Sequence, residues 1–445
     1  MNAFFEKISN FWKKVGDVFF AFLKKYDWII LLAVISIVGL VLRIALFDKR
    51  TGDFNSFLNK WYTLYYDNGF KALGQNIGDY TPAYNYYLWF ISLFRIEPGS
   101  DQLVHAIKIY SVFFDYVLSV FCGLIVYHIT NKDKVKSILT YGLVLFGLTI
   151  FLNSALWGQC DAIYATFVVM SFYFFMTKHH RTSAIMLSVA FAFKLQTIFI
   201  IPFFVVMFLR RKVNLKYLVW IPIVYIIFAL PACIAADNFF GRLGEILTVY
   251  FNQSVNSYKQ LALNCSTLYS LIFTNFKSED YISAFSVPFA LVSIGIFIYF
   301  IYRSKEEFDD NMLVKIFVFF VMLTPFVLPH MHDRYYYIAD AAIMIYVVLN
   351  PKKFYLAIMA IITSMIGYMV YLWNVPFINV VPQEQSDPTK ALSFRFGAIL
   401  YLIVICIIAY DIFKILYPKI VEKKQLETEA KVEETSETND EKSEE

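Results

Sequence analysis

Long apolar blocks alternate with short polar segments along most of the chain. The first block runs from Trp28 to Phe47, and the later ones are 104–130, 137–152, 162–177, 183–209, 215–235, 282–302, 312–328, 338–350, 355–372 and 392–416. A helix rises about 1.5 Å per residue, so about 20 apolar residues cross the hydrocarbon core of a bilayer. The pattern therefore predicts an all-α polytopic membrane protein.

The block 183–209 differs from the others because basic residues flank both of its ends. A single spanning helix would place those ends on opposite sides of the membrane, whereas basic loops favour the cytoplasmic side. A short helix hairpin that bends near "FKLQ", residues 193–196, keeps both ends on one side. With the two arms of the hairpin counted separately, we expect about twelve membrane segments.

The distribution of charge predicts the orientation of the chain. Of its 445 residues, 59% are hydrophobic and 17% charged, and lysine and arginine collect in alternate loops. These loops predict a cytoplasmic N-terminal segment at 1–27, a membrane domain at 28–421 and a cytoplasmic C-terminus. The acidic segment 422–445 has almost no apolar residues and is expected to be a disordered tail. Because the basic excess reports topology, no nucleic-acid partner is predicted.

The first outer loop, residues 48–103, carries the densest polar chemistry. In "DFNSFLNKWYTLYYDNGF", residues 53–70, apolar positions recur at helical spacing, which predicts an amphipathic helix at the membrane surface. Asp53 follows Gly52 and has two interpretations. It is either the N-cap of that helix or a general base at the membrane edge. The residues alone do not separate these interpretations.

A second polar segment of the same loop is "GDYTPAYNYYLW", residues 78–89. Asp79 is a candidate for a second catalytic or positioning carboxylate, and Tyr80 beside it is a candidate substrate contact. The alternative is that Asp79 caps another helix among interfacial aromatic residues.

The segment "NSALWGQCD", residues 153–161, leads into the fourth apolar block. A carboxylate near hydrocarbon is costly unless it is hydrated or paired, so Asp161 points to a function. An indole ring that stacks on a sugar beside amide and carboxylate groups is a common way to bind carbohydrate. Trp157, Gln159 and Asp161 are therefore candidate sugar contacts. The alternative is that Trp157 is an ordinary aromatic ring at the membrane interface.

Lys194 and Gln196 interrupt the apolar block 183–209. An ammonium group within a membrane must face a cavity, an anion or a carboxylate. At the tip of the predicted hairpin, Lys194 would suit a phosphate group. The alternative is a structural ion pair, for instance with Asp115.

The stretch "LPHMHDRYYY", residues 328–337, lies between two apolar blocks at the predicted outer face. His330, His332 and Asp333 are suitable ligands for a divalent cation. No second cluster of ligands accompanies them in the sequence, so a metal site is not expected.

Arg334 in the same stretch suggests a different ligand. A guanidinium group grips phosphate through two parallel hydrogen bonds, and the adjacent histidines would assist it. The hydroxyls of tyrosines such as Tyr335 would position a polyol. The alternative is that Arg334 and these tyrosines only anchor the chain at the interface.

Taken in order, these segments resemble the polytopic glycosyltransferases of the C-type superfamily. They are most similar to the bacterial relatives of the PIG-V mannosyltransferase of GPI-anchor synthesis. The resemblance covers most of residues 28–350 and rests on "GDFNSFLNKWY", "GDYTPAYNYYLW", "WGQCDAIY", "FKLQ" and "LPHMHDRYYY".

The resemblance implies transfer of a mannose-like hexose from a polyprenyl-phosphate donor to a lipid-linked or cell-envelope glycan acceptor, at the outer face and with inversion. Asp53 matches the catalytic aspartate of the family and would deprotonate the acceptor hydroxyl. The leaving phosphate would be held by Arg334, His330, His332 and Lys194. Candidate sugar or acceptor contacts are Asp79, Tyr80, Trp157, Gln159, Asp161, Gln196, Asp333 and Tyr335. The implied partners are the donor, a glycan or glycolipid acceptor and membrane lipids, and no cofactor is firmly implied.

The rival interpretation is a transporter or flippase of lipid-linked sugars. Such proteins are often built from repeated halves around a site near the bilayer midplane. The sequence shows no matching halves, and its polar clusters gather at one predicted side. A third interpretation, a scaffold protein with no catalytic activity, would leave Lys194 and Arg334 unexplained.

Overall fold

The computed structural model of the chain describes residues 2–78, 80–253, 260–272, 280–373 and 388–418. Its α-helices, in chain order, are α1 (Asn2–Ile44), α2 (Asn59–Asn68), α3 (Pro82–Ser92), α4 (Asp101–Ile129), α5 (Lys134–Leu145), α6 (Leu148–Phe151), α7 (Asp161–Met176), α8 (His180–Phe193), α9 (Ile201–Leu209), α10 (Trp220–Ala235), α11 (Phe239–Asn252), α12 (Leu268–Ile272), α13 (Asp280–Arg303), α14 (Asp310–Val327), α15 (Tyr337–Leu349), α16 (Tyr355–Trp373) and α17 (Pro388–Leu416). The predicted all-α class is confirmed.

Seven of the described helical spans are long and apolar enough to cross a membrane. They are Lys24–Ile44, Asp101–Ile129, Leu215–Ala235, Ala284–Arg303, Asp310–Val327, Pro351–Trp373 and Leu392–Leu416. Lys134–Leu145 and Leu148–Trp157 meet at a bend of 52° and are together long and apolar enough for an eighth. The prediction of about twelve membrane segments also counts α7, α8, α9 and α15, which are shorter than the helices that can cross a membrane on their own.

The buried centre of the protein is formed by α14 and α15. In α14, 83% of the most apolar 18-residue segment is buried, whereas only 11% of the corresponding segment is buried in the first span. Every residue from Tyr337 to Val348 of α15 is buried as well. A helix that is apolar on all sides is expected to be enclosed by others. The polar stretch 328–336 is therefore held between the two most enclosed helices.

The predicted hairpin is present and bends where expected. α8 ends at Phe193, Lys194 is extended, and the 3₁₀ turn Leu195–Ile200 leads into α9. His180 at the start of α8 and Phe208 near the end of α9 line one crevice, so the two arms return to the same side.

The first outer loop contains the predicted amphipathic helix. A π-helical turn at Phe54–Leu58 continues into α2, and Phe54, Leu58, Tyr62 and Tyr65 form its buried face. The interpretation of Asp53 as an N-cap is wrong. Its backbone is itself helical, with φ of −64° and ψ of −36°, and its side chain makes no capping hydrogen bond.

The described strands form one small parallel pair, β1 (Ala262–Leu263) and β2 (Met331–His332). Ala262 pairs with Met331, and Leu263 with His332. This pairing ties the loop before α12 to the polar stretch between α14 and α15.

A buried ion pair joins the first and second spans. Arg43 and Asp115 are both fully buried, and the Arg43 Nη2 atom lies 3.0 Å from the Asp115 Oδ2 atom. Asp115 also accepts hydrogen bonds from Ser154 and Tyr337. The suggested pairing of Lys194 with Asp115 is therefore wrong, because Asp115 already has another cation.

The structure describes the predicted N-terminal segment but not the predicted C-terminal tail. α1 extends through the predicted N-terminal segment 1–27, and its geometry is interrupted at Tyr26, just before the apolar span. The predicted acidic tail, 422–445, lies outside the described residues.

Candidate active site

Asp53 lies in the first helical turn of the outer loop and receives three hydrogen bonds. Its Oδ2 atom accepts one from Trp157 Nε1 at 2.9 Å and one from Gln159 Nε2 at 2.5 Å. Its Oδ1 atom accepts one from the hydroxyl of Tyr371. Each carboxylate oxygen has about two lone pairs. Within the described part of the chain, Oδ2 therefore has both acceptor positions occupied, and Oδ1 has one that is not used.

Two π-helical segments produce this convergence. Phe54–Leu58 follows Asp53, and Leu152–Trp157 precedes Gln159. Such segments are rare and frequently occur at functional sites. The second ends at Gly158, whose φ of +77° is easily adopted only by glycine. The turn there lets Trp157 and Gln159 reach the same oxygen.

Asp161, the first residue of α7, lies beside two cationic side chains. Its Oδ1 atom accepts a hydrogen bond from Lys194 Nζ, and its Oδ2 atom lies 3.4 Å from Arg334 Nε. Asn153 Nδ2 donates a further hydrogen bond to Oδ2 at 3.0 Å. Asp161 and Lys194 are 1% and 4% exposed, so the pair is almost completely removed from solvent. Lys194, at the hairpin tip, thus shares Asp161 with Arg334.

Asp53 and Arg334 line the same small cavity, which has a volume of about 40 Å³. The other residues around it are Phe57, Leu58, Trp61, Tyr80, Tyr84, Gly158, Gln159 and Cys160. Asp53 and Arg334 therefore border one space, with aromatic rings around it.

Trp157 is buried and is not among the residues that line this cavity. It is 1% exposed, and its ring stacks on that of Tyr371 with 4.3 Å between centroids. The guanidinium carbon of Arg334 lies 5.4 Å from the centre of the indole. In this structure Trp157 therefore orients Asp53 and Arg334. The indole that lines the cavity is that of Trp61, which packs edge-on against Tyr80 at 5.7 Å.

His330 holds the neighbouring loop. Its Nδ1 atom lies 2.8 Å from the carbonyl oxygen of Gln260, and its backbone N–H donates to the carbonyl of Leu261. His330 is not among the residues that line the small cavity. Among the described residues, no three histidine, cysteine, aspartate or glutamate side chains form a group that would hold a metal ion.

His332 is 7% exposed, and its ring lies 5.2 Å from that of Tyr335, which is also buried. Burial lowers the pKa of His332 to about 3, and the charges of Arg334 and Lys194 lower it too. The imidazole is therefore neutral at physiological pH and acts as a hydrogen-bonding group.

Asp333 is a third carboxyl group near Arg334. Its Oδ1 atom lies 3.7 Å from Arg334 Nη1, and the side chain is 4% exposed. Burial raises the pKa of Asp333 to about 7; Arg334 opposes this shift, and Asp53 and Asp161 add to it. Asp333 therefore changes its charge close to neutral pH.

The remaining predicted residues are Tyr80, Gln196 and Asp79, and each has a different position relative to the cavity or the described residues. Tyr80 lines the cavity, and Lys194 Nζ lies 5.6 Å from the centre of its ring. Gln196 is buried, and its Oε1 atom has no hydrogen-bond partner among the described residues. Asp79 lies outside the described residues, so its role stays a prediction.

Three side chains of this site were not anticipated. Tyr371 binds Asp53, while Tyr368 and Asn153 are linked by a hydrogen bond of 3.0 Å beside Asp161. A signal for the tyrosines exists in the sequence, because residues three apart share one face of a helix. Both stand near the C-terminal end of the apolar block 355–372.

Replacement of Tyr371 by phenylalanine is expected to lower turnover about tenfold, since a hydrogen bond to a charged group contributes roughly 1.5–3 kcal/mol. The stacking on Trp157 is kept, so the loss of stability should not exceed the roughly 1.5–3 kcal/mol of that one hydrogen bond. Initial rates and melting curves of the variant would measure both effects, with the exposed Tyr299→Phe as control. An unchanged rate would show that the Tyr371 hydroxyl does not help to orient Asp53.

Comparison with known proteins gives one family. The model of glycosyltransferase family 87 matches residues 90–329, while no curated protein matches the chain. The matched region contains Trp157, Gln159, Asp161 and Lys194, and it excludes Asp53 and Arg334. It covers more than half of the chain and confirms the resemblance to the C-type superfamily. The chain therefore belongs to glycosyltransferase family 87, a family of polytopic membrane glycosyltransferases.

Proposed function

We propose that this membrane glycosyltransferase transfers a mannose-like hexose from a polyprenyl-phosphate donor to a lipid-linked or cell-envelope glycan acceptor. The observation that carries the proposal is the shared cavity of Asp53 and Arg334. A carboxylate can take the proton of an attacking hydroxyl, and a guanidinium group can bind the departing phosphate. Both groups needed for a displacement at a sugar phosphate thus face one space.

Asp53 is the general base in this scheme. The acceptor hydroxyl approaches the Oδ1 atom, which keeps one free lone pair, and gives its proton to it. The hydroxyl oxygen forms a bond to the anomeric carbon as the bond from that carbon to the phosphate oxygen breaks. The electron pair of the broken bond leaves with the polyprenyl phosphate. A single displacement of this kind inverts the anomeric configuration.

Arg334 stabilises the phosphate that leaves. Its Nε atom is anchored near Asp161, which also binds Lys194, so the two cations are held beside each other. Preorganised charge aimed at a developing anion is often the largest catalytic contribution of an enzyme. His332, neutral in this environment, would contribute a hydrogen bond rather than a charge.

The sugar would rest against the aromatic residues of the cavity. Trp61 and Tyr80 line it together with Gln159, whose amide oxygen is not used in the bond to Asp53. At about 40 Å³ the cavity is far smaller than the roughly 300 Å³ or more of typical ligand sites. Binding of the donor is therefore expected to move these side chains apart.

The site is proposed to open at the outer face of a cell membrane. The basic loops predict that both termini are cytoplasmic, and this places residues 48–103 and 328–337 outside. A polyprenyl phosphate with its chain in the bilayer would present its sugar at that surface. The donor itself is the substrate in this scheme, and the proposed step requires no divalent cation.

The pH dependence of donor binding is expected to report Asp333. Below about pH 7 this carboxyl is protonated and leaves the charge of Arg334 available to the donor phosphate. As the pH rises through about 7, Asp333 ionises and competes, so KM for the donor should rise severalfold. The rise should disappear in Asp333→Asn, as measured by KM between pH 5.5 and 8.5. A rise of equal size in the variant would assign the effect to another group.

The same residue predicts a change in stability. Its pKa is about 7 in the folded chain and about 3.9 in an unfolded one. Between these values the folded state binds more protons, so the free energy of unfolding falls as the pH rises. The difference between the melting temperatures at pH 5 and pH 8 should therefore be smaller for Asp333→Asn than for the wild type.

A transfer assay separates the proposed enzyme from a flippase. The purified protein is placed in liposomes with a radiolabelled polyprenyl-phosphate hexose and a mixture of membrane-lipid acceptors. We expect the label to move to an acceptor lipid, at a rate lowered in Arg334→Gln and unchanged in the exposed control Lys60→Gln. Label that remains on the prenyl lipid but crosses the bilayer faster than without protein would favour the flippase instead.

A further inference from the structure

A crevice of about 330 Å³ opens between the two arms of the hairpin and the start of α10. Leu187, Phe204 and Leu218 are typical of its largely apolar lining. It begins beside His180, and α8 separates that residue from Lys194 by 14 positions, or about 20 Å of helix. The crevice is therefore remote from the candidate active site.

A basic bowl adjoins the mouth of this crevice. The bowl has a volume of about 640 Å³ and shares His180, Phe208 and Tyr217 with the crevice. Arg211 and Lys216 line it and are exposed, and no acidic side chain in the described part of the chain pairs with either. The apolar crevice thus ends at two cations that are available to a ligand.

His180 stands where the crevice and the bowl meet. Its Nδ1 atom is buried and has no hydrogen-bond partner within the described ranges. A buried polar atom without a partner costs free energy, so a ligand that supplies one is favoured at this point. The ligand should be apolar at one end, anionic at the other, and polar between them.

We propose that the crevice and the bowl together bind one anionic phospholipid. An acyl chain would fill the crevice, the ester region would meet His180, and the phosphate headgroup would lie between Arg211 and Lys216. Basic pockets between membrane helices on the cytoplasmic side are suited to such headgroups. The loop charges assign this end to the cytoplasm, opposite the phosphate of the proposed donor. The lipid would fill the space between the arms whose tip carries Lys194.

Native mass spectrometry of the full chain in detergent tests the site, with phosphatidylglycerol and phosphatidylcholine of the same acyl chains as probes. We expect the wild type to retain one phosphatidylglycerol in preference to phosphatidylcholine. Arg211→Gln/Lys216→Gln should bind phosphatidylglycerol about thirtyfold more weakly. The matched pair Lys132→Gln/Lys134→Gln, exposed in another basic loop, should bind it as the wild type does.

A second variant tests the crevice without changing charge. Ala184 lines it, and Ala184→Phe should exclude the acyl chain. If that variant does not fold, the double glutamine variant decides the question. Equal retention of both lipids by the wild type, or no effect of the double variant, would overturn the proposal. Displacement of phosphatidylglycerol by polyprenyl phosphate, mole for mole, would assign the crevice to the donor and overturn it as well.

Discussion

Replacement of Asp53 by asparagine is expected to lower the rate of sugar transfer about a thousandfold, within the roughly 10²- to 10⁴-fold that general-base catalysis contributes. Asparagine has the same size and still offers an oxygen to the donors around it, but it cannot take a proton from the acceptor. Donor binding should change little, because Arg334 is the residue proposed to hold the phosphate. Initial rates at saturating donor would measure the effect.

Asp67 provides a matched control for this variant. It is an exposed aspartate in α2, in the same outer loop. Asp67→Asn should transfer sugar at the wild-type rate. If Asp53→Asn retained a rate within tenfold of the wild type, the base would have to be sought elsewhere.

Replacement of Lys194 by methionine is expected to destabilise the protein by about 3–5 kcal/mol, the usual cost when one partner of a buried ion pair is removed. Asp161 would remain 1% exposed, with Arg334 as its nearest remaining cation. Arg334 would then be drawn toward Asp161, and turnover should fall together with stability. Thermal unfolding in detergent and initial rates at saturating donor would report the two effects.

A double variant distinguishes loss of the pair from loss of packing. Asp161→Asn/Lys194→Met removes both charges and should recover part of the stability lost in the single variant. The exposed Lys60→Met in α2 should melt as the wild type does. Equal destabilisation in the double and single variants would mean that the charge of Asp161 is compensated without Lys194.

Local patterns in the sequence predict much of the fold and part of the site. Apolar block length indicates the membrane helices, and basic flanks at both ends of 183–209 indicate the hairpin that bends at Lys194. The cost of charge near hydrocarbon singles out Asp161 and Lys194, which the structure joins in a buried ion pair. These inferences succeed because each depends on a few neighbouring residues and on the properties of the bilayer.

The partners of each charge are harder to predict, because they depend on packing between distant helices. Tyr371 comes from α16, yet it binds Asp53 in the first outer loop. Trp157 looks like an interfacial ring in the sequence, whereas the structure buries it against Tyr371. The π-helical turns that bring Trp157 and Gln159 to one oxygen have no periodicity that would reveal them.

Chemical rescue tests the central claim most directly. The measurement is the rate of sugar transfer by Asp53→Ala with and without sodium formate, a small carboxylate that suits the space left by the missing side chain. The account predicts no transfer by the variant alone and recovery that grows with formate concentration, while Asp67→Ala is unaffected by formate. Transfer by Asp53→Ala at the wild-type rate without formate would contradict the assignment of Asp53 as the base.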